Sequence, residues 1–309
     1  MQHATALDRF NYENNGRLTG QLEQASWLMD QTAWGMCPLL PIPDAAMESS
    51  IRSQHQRADA QQAELLTRQW MRDCRHDIKG FDHAHATFNT GVEGFIDSAI
   101  YRCSSVSSLP LTYYHVPDVA AIMGRPHSTP GDAPAGSLVI MELPTPHHTT
   151  EHVSEQISLA KSRGHYVAVD MTFLPVSTTA IEVDLTDVDE VWVSMNKAWD
   201  TGDLRPAWRF SRTPRPDALT LAHERSRYNR DSMAAWQHII TTRTYDDVAL
   251  RNLALYQHVC GVFGLSQTNN MLVARLNGVT WEPMYTKNWN YNGLVGTHGL
   301  IGTHGKHFW

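Results

Sequence analysis

The chain has 309 residues, 42% hydrophobic and 18% charged, with a formal net charge of −7. That is the make-up of a globular protein with room for two domains, or one large domain and an appendage, and an acidic balance without Lys/Arg runs argues against a general nucleic-acid-binding surface. Four scattered cysteines, Cys37, Cys74, Cys103 and Cys260, form no Cys-x-x-Cys pair; with no signal-type N-terminus and no apolar run of membrane-spanning length, a soluble protein in the reducing cytoplasm, without a membrane partner, is the expectation.

Residues 1–45 read as an N-terminal arm. They are polar at first, then carry Trp27, Leu28 and Trp34, apolar enough to dock, and end in Cys37-Pro-Leu-Leu-Pro-Ile-Pro, where the prolines stop any helix. Residues 45–76, rich in Ala, Gln, Glu and Arg, read as helix. In the stretch from His85 to Ile100 a β-prone run ends on Thr90-Gly91, and an amphipathic helix starts at once with Val92, Phe95, Ile96 and Ala99 on one stripe. Such a turn is either an ordinary capped turn or an anion site made of free N–H groups, with glycine allowing close approach. The tyrosine pair Tyr113-Tyr114 follows, then a loop over 125–136.

Ser137 to Glu142 reads as a strand that runs into Pro144-Thr145-Pro146. A helix follows from Thr150 to Arg163, stopped by Gly164, so that strand, turn, helix and next strand form a right-handed crossover. Among His147, His148 and His152 the pair four apart, His148 and His152, could hold zinc on a helix, but no third ligand is spaced to complete the site, and a solvated helix start is the better reading.

The central stretch is 166–212. Tyr166 to Val169 reads as a buried strand delivering Asp170 at its carboxyl end, and Glu190 to Ser194 as a second one delivering Ser194 and Lys197, with Gly202 and Arg205 in the polar turn beyond. Ligands of open α/β sheets bind at such strand ends. From 216 to 264 helical periodicity dominates, and Asn269 to Leu276 reads as a strand. The tail carries a tandem Gly-Leu-Val-Gly-Thr-His-Gly and Gly-Leu-Ile-Gly-Thr-His-Gly, either a loose end or a loop ordered by a ligand.

A lysine and an aspartate at neighbouring strand ends, with a hydroxyl and an arginine beside them, match what pyridoxal 5'-phosphate requires. The lysine forms the Schiff base, the aspartate keeps the pyridine nitrogen protonated, and the Ser/Arg pair holds the phosphate. Ser194-Met-Asn-Lys197 with Arg205 eight residues on resembles the Ser-x-x-Lys…Arg signature of fold type I, class I/II aminotransferases, and Asp170-Met-Thr-Phe173 resembles that family's Asp-x-x-Tyr. The resemblance implies an α/β fold with a mostly parallel sheet sandwiched by helices over 46–215 and a small α+β domain over 216–309. It implies a phosphate-gripping turn at Thr90, Gly91 and Val92, and an aromatic ring stacked on the pyridine, Tyr114 first and Tyr113 second. It also implies a homodimer acting on a small amine or amino acid, with an N-terminal arm that often packs across the dimer.

Two departures stand out. Thr145 occupies the place of the family's asparagine in Pro-Asn-Pro, and Phe173 that of its tyrosine, so two donors to the ring oxygen are shortened or lost. No arginine follows Arg275, whereas the family grips the substrate carboxylate with a late arginine, because a planar fork suits a carboxylate. Transamination is the first expectation, decarboxylation or other α-carbanion chemistry the second, and a non-catalytic binding protein the third.

Overall fold

The computed structural model describes residues 51, 59–199, 201, 204–263, 265–276 and 294–296. The arm over 1–45, Gly202 and all of the repetitive tail except 294–296 lie outside the described residues.

In chain order the elements are α1 (Ala60–Arg72), β1 (Asp77–Lys79), β2 (His85–Thr90), α2 (Glu93–Arg102), β3 (Val106–Ser108), α3 (His115–Ile122), β4 (His127–Ser128), β5 (Leu138–Glu142), α4 (Thr150–Ser162), β6 (Tyr166–Asp170), β7 (Glu182–Asp184), β8 (Glu190–Ser194), β9 (Pro206–Ser211), α5 (Ala218–Glu224), α6 (Arg230–Thr242), α7 (Asp247–Phe263), β10 (Leu265–Gln267), β11 (Val273–Leu276) and β12 (Leu294–Gly296). Seven strands form one sheet in the order β2-β9-β8-β6-β5-β3-β4. Four of its six pairings are parallel, and the two made by β9 are antiparallel. The expected α/β architecture with a mostly parallel sheet is therefore present.

Side chains alternate between the two faces of a strand, and the interior strands use both. On one face Val139, Met141, Val167, Val169, Val191, Val193, Trp208 and Phe210 pack against Val153 and Ile157 of α4 and against Trp236, Ile239 and Tyr256 of α6 and α7. On the other face Leu138, Ile140, Ala168, Trp192 and Ala207 meet Phe95, Ile96 and Ile100 of α2 and Val116 and Val119 of α3. That double coverage explains why these strands read as continuous apolar runs.

Helices α6 and α7 thus share a core with the sheet, across the boundary expected near residue 215. Helix α1 joins them: Trp236 Nε1 donates to Thr67 Oγ1 at 2.7 Å, and Trp70 Nε1 to the Arg243 carbonyl at 2.9 Å. A separate antiparallel sheet, β10-β11-β12, is tied to the segment after β6 by an isolated bridge between Ser177 and Asn270. No helix among the described residues is long and apolar enough to cross a membrane.

One buried charge cluster closes the entering end of β8, away from the strand ends that carry Asp170 and Ser194. Glu190 is fully buried and receives Arg102 Nη2 at 2.9 Å, the Tyr166 hydroxyl at 2.7 Å and Trp192 Nε1 at 2.8 Å, with Arg215 Nε 2.9 Å away. Burial pushes its carboxyl up, but the guanidiniums of Arg209 and Arg102 and the tyrosine hydroxyl pull it below its ordinary value. Removing one partner of a buried ion pair leaves the others uncompensated. Glu190→Gln is therefore expected to lower unfolding stability by about 3 kcal/mol, read as a lower denaturation midpoint at unchanged slope.

Candidate active site

The parallel strands all point their carboxyl ends the same way, so β5, β6 and β8 deliver Glu142, Asp170 and Ser194 along one rim of the sheet. Glu142 and Asp170 are register partners on adjacent strands. Lys197 follows Ser194 in a short turn, where the Ala198 and Trp199 backbone N–H groups both donate to the Met195 carbonyl at 3.0 Å.

The Lys197 ammonium is desolvated, which lowers its pKa. Glu93 and Asp170 act against that shift and Arg205 adds to it, so these three residues surround the amine electrostatically. Nζ lies 5.9 Å from the centroid of the Phe173 ring. Lys197 thus lies beside the Phe173 ring and within electrostatic reach of Asp170, Arg205 and Glu93.

Asp170 is 7% exposed. Its Oδ1 receives the Thr172 backbone N–H at 2.9 Å. Burial raises its pKa to about 6, with Glu93 raising it further and the Thr172 hydrogen bonds and Lys197 opposing. Glu142, also buried, accepts from the Thr112 hydroxyl at 2.7 Å and from the Tyr113 backbone N–H. Burial lifts it to about 7, against those hydrogen bonds and helped by Asp170. A pair of buried carboxyls at adjacent strand ends is a place where a cation or a protonated ring nitrogen is electrostatically favoured.

Opposite them lies the turn at Thr90, Gly91 and Val92. The antiparallel pairing of β2 with β9 sets Thr90 against Pro206, and the Gly91 N–H donates to the Arg205 carbonyl at 2.5 Å. Gly91 has φ +83°, and a Cβ there would sit 2.6 Å from Glu93 Oε2, the end of a flexible side chain, and 3.8 Å from Arg205 Cζ, so it is the backbone angle that calls for glycine. Arg205 itself takes φ +41°, and its guanidinium donates to Glu93 Oε1. Val92 is the residue just before α2 and packs inward against the core.

Ser194 is buried, with its hydroxyl 2.8 Å from Asn196 Oδ1 and 3.1 Å from the Pro206 carbonyl. Thr145, also buried, follows the cis Leu143-Pro144 bond, and its hydroxyl accepts the His147 N–H at 3.5 Å. Of the tyrosine pair, Tyr114 is 37% exposed. The one that reaches the cluster is Tyr113, whose hydroxyl lies 3.3 Å from Glu93 Oε1.

Glu93 and Glu142 are the site residues that sequence reasoning passed over. Glu142 carried the same signal as Asp170, a charge ending an apolar parallel strand. Glu93 sits in the first turn of α2, where an acidic residue is ordinary, and nothing in the sequence indicated that it would fold back onto Arg205.

No family model matches the sequence, and no curated protein matches it. Among solved structures the chain is similar to the pyridoxal-phosphate-bound C-S lyase of Staphylococcus hominis (TM-score 0.60, 11% identity, 75% of this chain and 73% of that one). It is also similar to an Escherichia coli protein with a methionine aminotransferase function (TM-score 0.59, 11% identity, 82% and 79%), and to the histidinol-phosphate aminotransferase of Clostridium acetobutylicum (0.55, 10%, 79% and 81%). The mixed seven-stranded sheet with β9 as its reversed strand belongs to the fold that these aminotransferases and lyases share, and the chain carries that fold, fold type I of the pyridoxal-phosphate-dependent enzymes.

Proposed function

We propose that the protein is a pyridoxal-phosphate-dependent enzyme of amino acids or amines, attached to its cofactor at Lys197. The observation that carries this reading is the desolvated Lys197 amine beside Phe173, with Asp170 and Arg205 among the charges around it. The residues fit the group. A protonated pyridine nitrogen would balance the buried Asp170 carboxylate, and the glycine-lined turn at Gly91 with the Arg205 guanidinium suits an anion. Bound there, the cofactor supplies an electron-withdrawing ring that weakens the bonds at the substrate's α-carbon.

The chain's own groups then have distinct tasks. Asp170 holds a proton at the ring nitrogen. Lys197, with a depressed pKa, keeps a larger neutral fraction near pH 7, which lets its amine attack a carbonyl and later carry a proton at the α-carbon. Phe173 places its ring beside that amine, with the centroid 5.9 Å from Nζ. Transamination is the reaction this arrangement supports first, since a mobile amine beside the α-carbon is what a 1,3-proton shift needs. The likeness in fold to both aminotransferases and a lyase leaves elimination and decarboxylation as the competing outcomes.

The test is the visible absorption spectrum of the purified chain with and without added pyridoxal 5'-phosphate. A new visible band that borohydride abolishes, with the label recovered on the Lys197 peptide, is expected, and Lys197→Ala should show neither. An unchanged spectrum at saturating cofactor refutes the reading. Product analysis with an amino-acid mixture then separates keto acid from released carbon dioxide.

A further inference from the structure

The anion cup at the start of α2 already holds an anion, and it comes from the chain itself. Glu93 is in the first turn of that helix. Its carboxylate takes the Arg205 guanidinium through Oε1, with the Tyr113 hydroxyl 3.3 Å away. Its Oε2 is buried with no hydrogen-bond partner among the described residues, and it lies 2.6 Å from where a Cβ on Gly91 would be. The carboxylate therefore fills the concavity that the glycine leaves open. It is anchored by the guanidinium that an incoming phosphate would need, that of Arg205.

We propose that Glu93 is an internal competitor for the phosphate of the cofactor, so that the cup binds a phosphate dianion only when this side chain is displaced from Arg205. The inference rests on the cofactor reading above and deepens it. Two like charges cannot share one guanidinium in a partly desolvated cup without a large penalty. Nor is the competitor neutral at ordinary pH. Although burial raises the Glu93 pKa, its own backbone N–H and Arg205 bring it below the usual carboxylate value. Oε2 has no partner among the described residues, whereas a phosphate brings three oxygens to the same cup. On this proposal the phosphate displaces the carboxylate, and the cofactor's affinity is set by that exchange. Unphosphorylated pyridoxal, which brings no anion to the cup, escapes the competition.

The experiment compares the full-length wild type, Glu93→Gln and Glu93→Ala in three titrations: pyridoxal 5'-phosphate by visible absorbance, pyridoxal by the same signal, and inorganic phosphate by calorimetry. Expected is a tightening of roughly tenfold or more for both phosphate-bearing ligands in Glu93→Gln, the same direction in Glu93→Ala, and no comparable change for pyridoxal. Phosphate affinity that is equal or weaker in both variants overturns the proposal, as does a parallel shift of all three ligands. Should no chain develop a visible band, the cofactor reading falls, while the phosphate titration still decides whether Glu93 guards an anion site.

Discussion

Lys197→Ala is expected to reduce turnover by at least about 10³-fold while leaving the fold intact, since the amine is both the point of covalent attachment and the proton carrier. The substitution removes a desolvated ammonium whose pKa burial depresses, so no net stabilising charge is lost from the empty protein. The neighbouring core residues Ala198 and Trp199 are fully buried and keep the turn in place. Far-ultraviolet circular dichroism should be unchanged, and turnover measured with the amine substrate should collapse. Lys197→Arg is expected to fail equally, because a guanidinium stays protonated and cannot form the bond. Retention of a tenth or more of wild-type turnover in either variant would count against the assignment of this amine.

Asp170→Asn has a two-sided outcome. Loss of the carboxylate should lower turnover on the order of 10²-fold or more, because the ring nitrogen is no longer held protonated. The empty protein, in contrast, should become more stable above pH 6. The sign follows from linkage. Asp170 has its pKa raised by burial from 3.8 to about 6, so the folded state binds its proton more tightly than the unfolded chain does. Stability is lost as pH climbs through that interval, and the full penalty is present above it. Just over two units correspond to about 3 kcal/mol, which the amide, unable to ionise, does not incur. Thermal midpoints of the cofactor-free proteins should be similar at pH 4 and should separate in favour of Asn by several degrees, roughly 5 °C, at pH 8. An Asn variant less stable than wild type at pH 8 would show that the carboxylate is structurally supported in ways its surroundings do not suggest. Glu142, pushed to about 7 chiefly by the same burial, keeps that burial in both proteins, while the part of its rise that Asp170 contributes disappears with the carboxylate and adds to the advantage of Asn.

Some of this was legible before any coordinates. The apolar runs ending in Asp170 and Ser194 are strands with those ends, because a strand buried on both faces has to be apolar along its whole length. The strand read from Ser137 to Glu142, which runs from Leu138 to Glu142, and the helix starting just after Thr90-Gly91 also follow from pattern. Strand β9 did not stand out. Pro206-Ala-Trp-Arg-Phe-Ser carries a charge at its centre, yet Arg209 is wholly buried and forks onto Asp217 at 2.6 and 3.1 Å. A buried arginine is legible only when its partner is known, and the partner lies in the loop beyond the strand. The choice between Tyr113 and Tyr114 depends on which ring turns inward at the first residues of α3, and adjacent positions share the same composition signal. That α6 and α7 pack on the sheet was not legible, because helical periodicity says how wide an apolar face is but not what it faces.

The hydrogen bond from Gly91 to the Arg205 carbonyl joins residues more than a hundred positions apart. A nascent chain leaving the ribosome would therefore have helix α2 long before it has an anion cup, since the cup's guanidinium and its backbone acceptor both come from Arg205, which emerges only after β8 and just ahead of β9. The cup and half of the core are completed together: a chain ending before residue 205 would lack Trp208 and Phe210 of β9 and the cover that α6 and α7 give one face of the sheet, as well as any guanidinium to seat a phosphate.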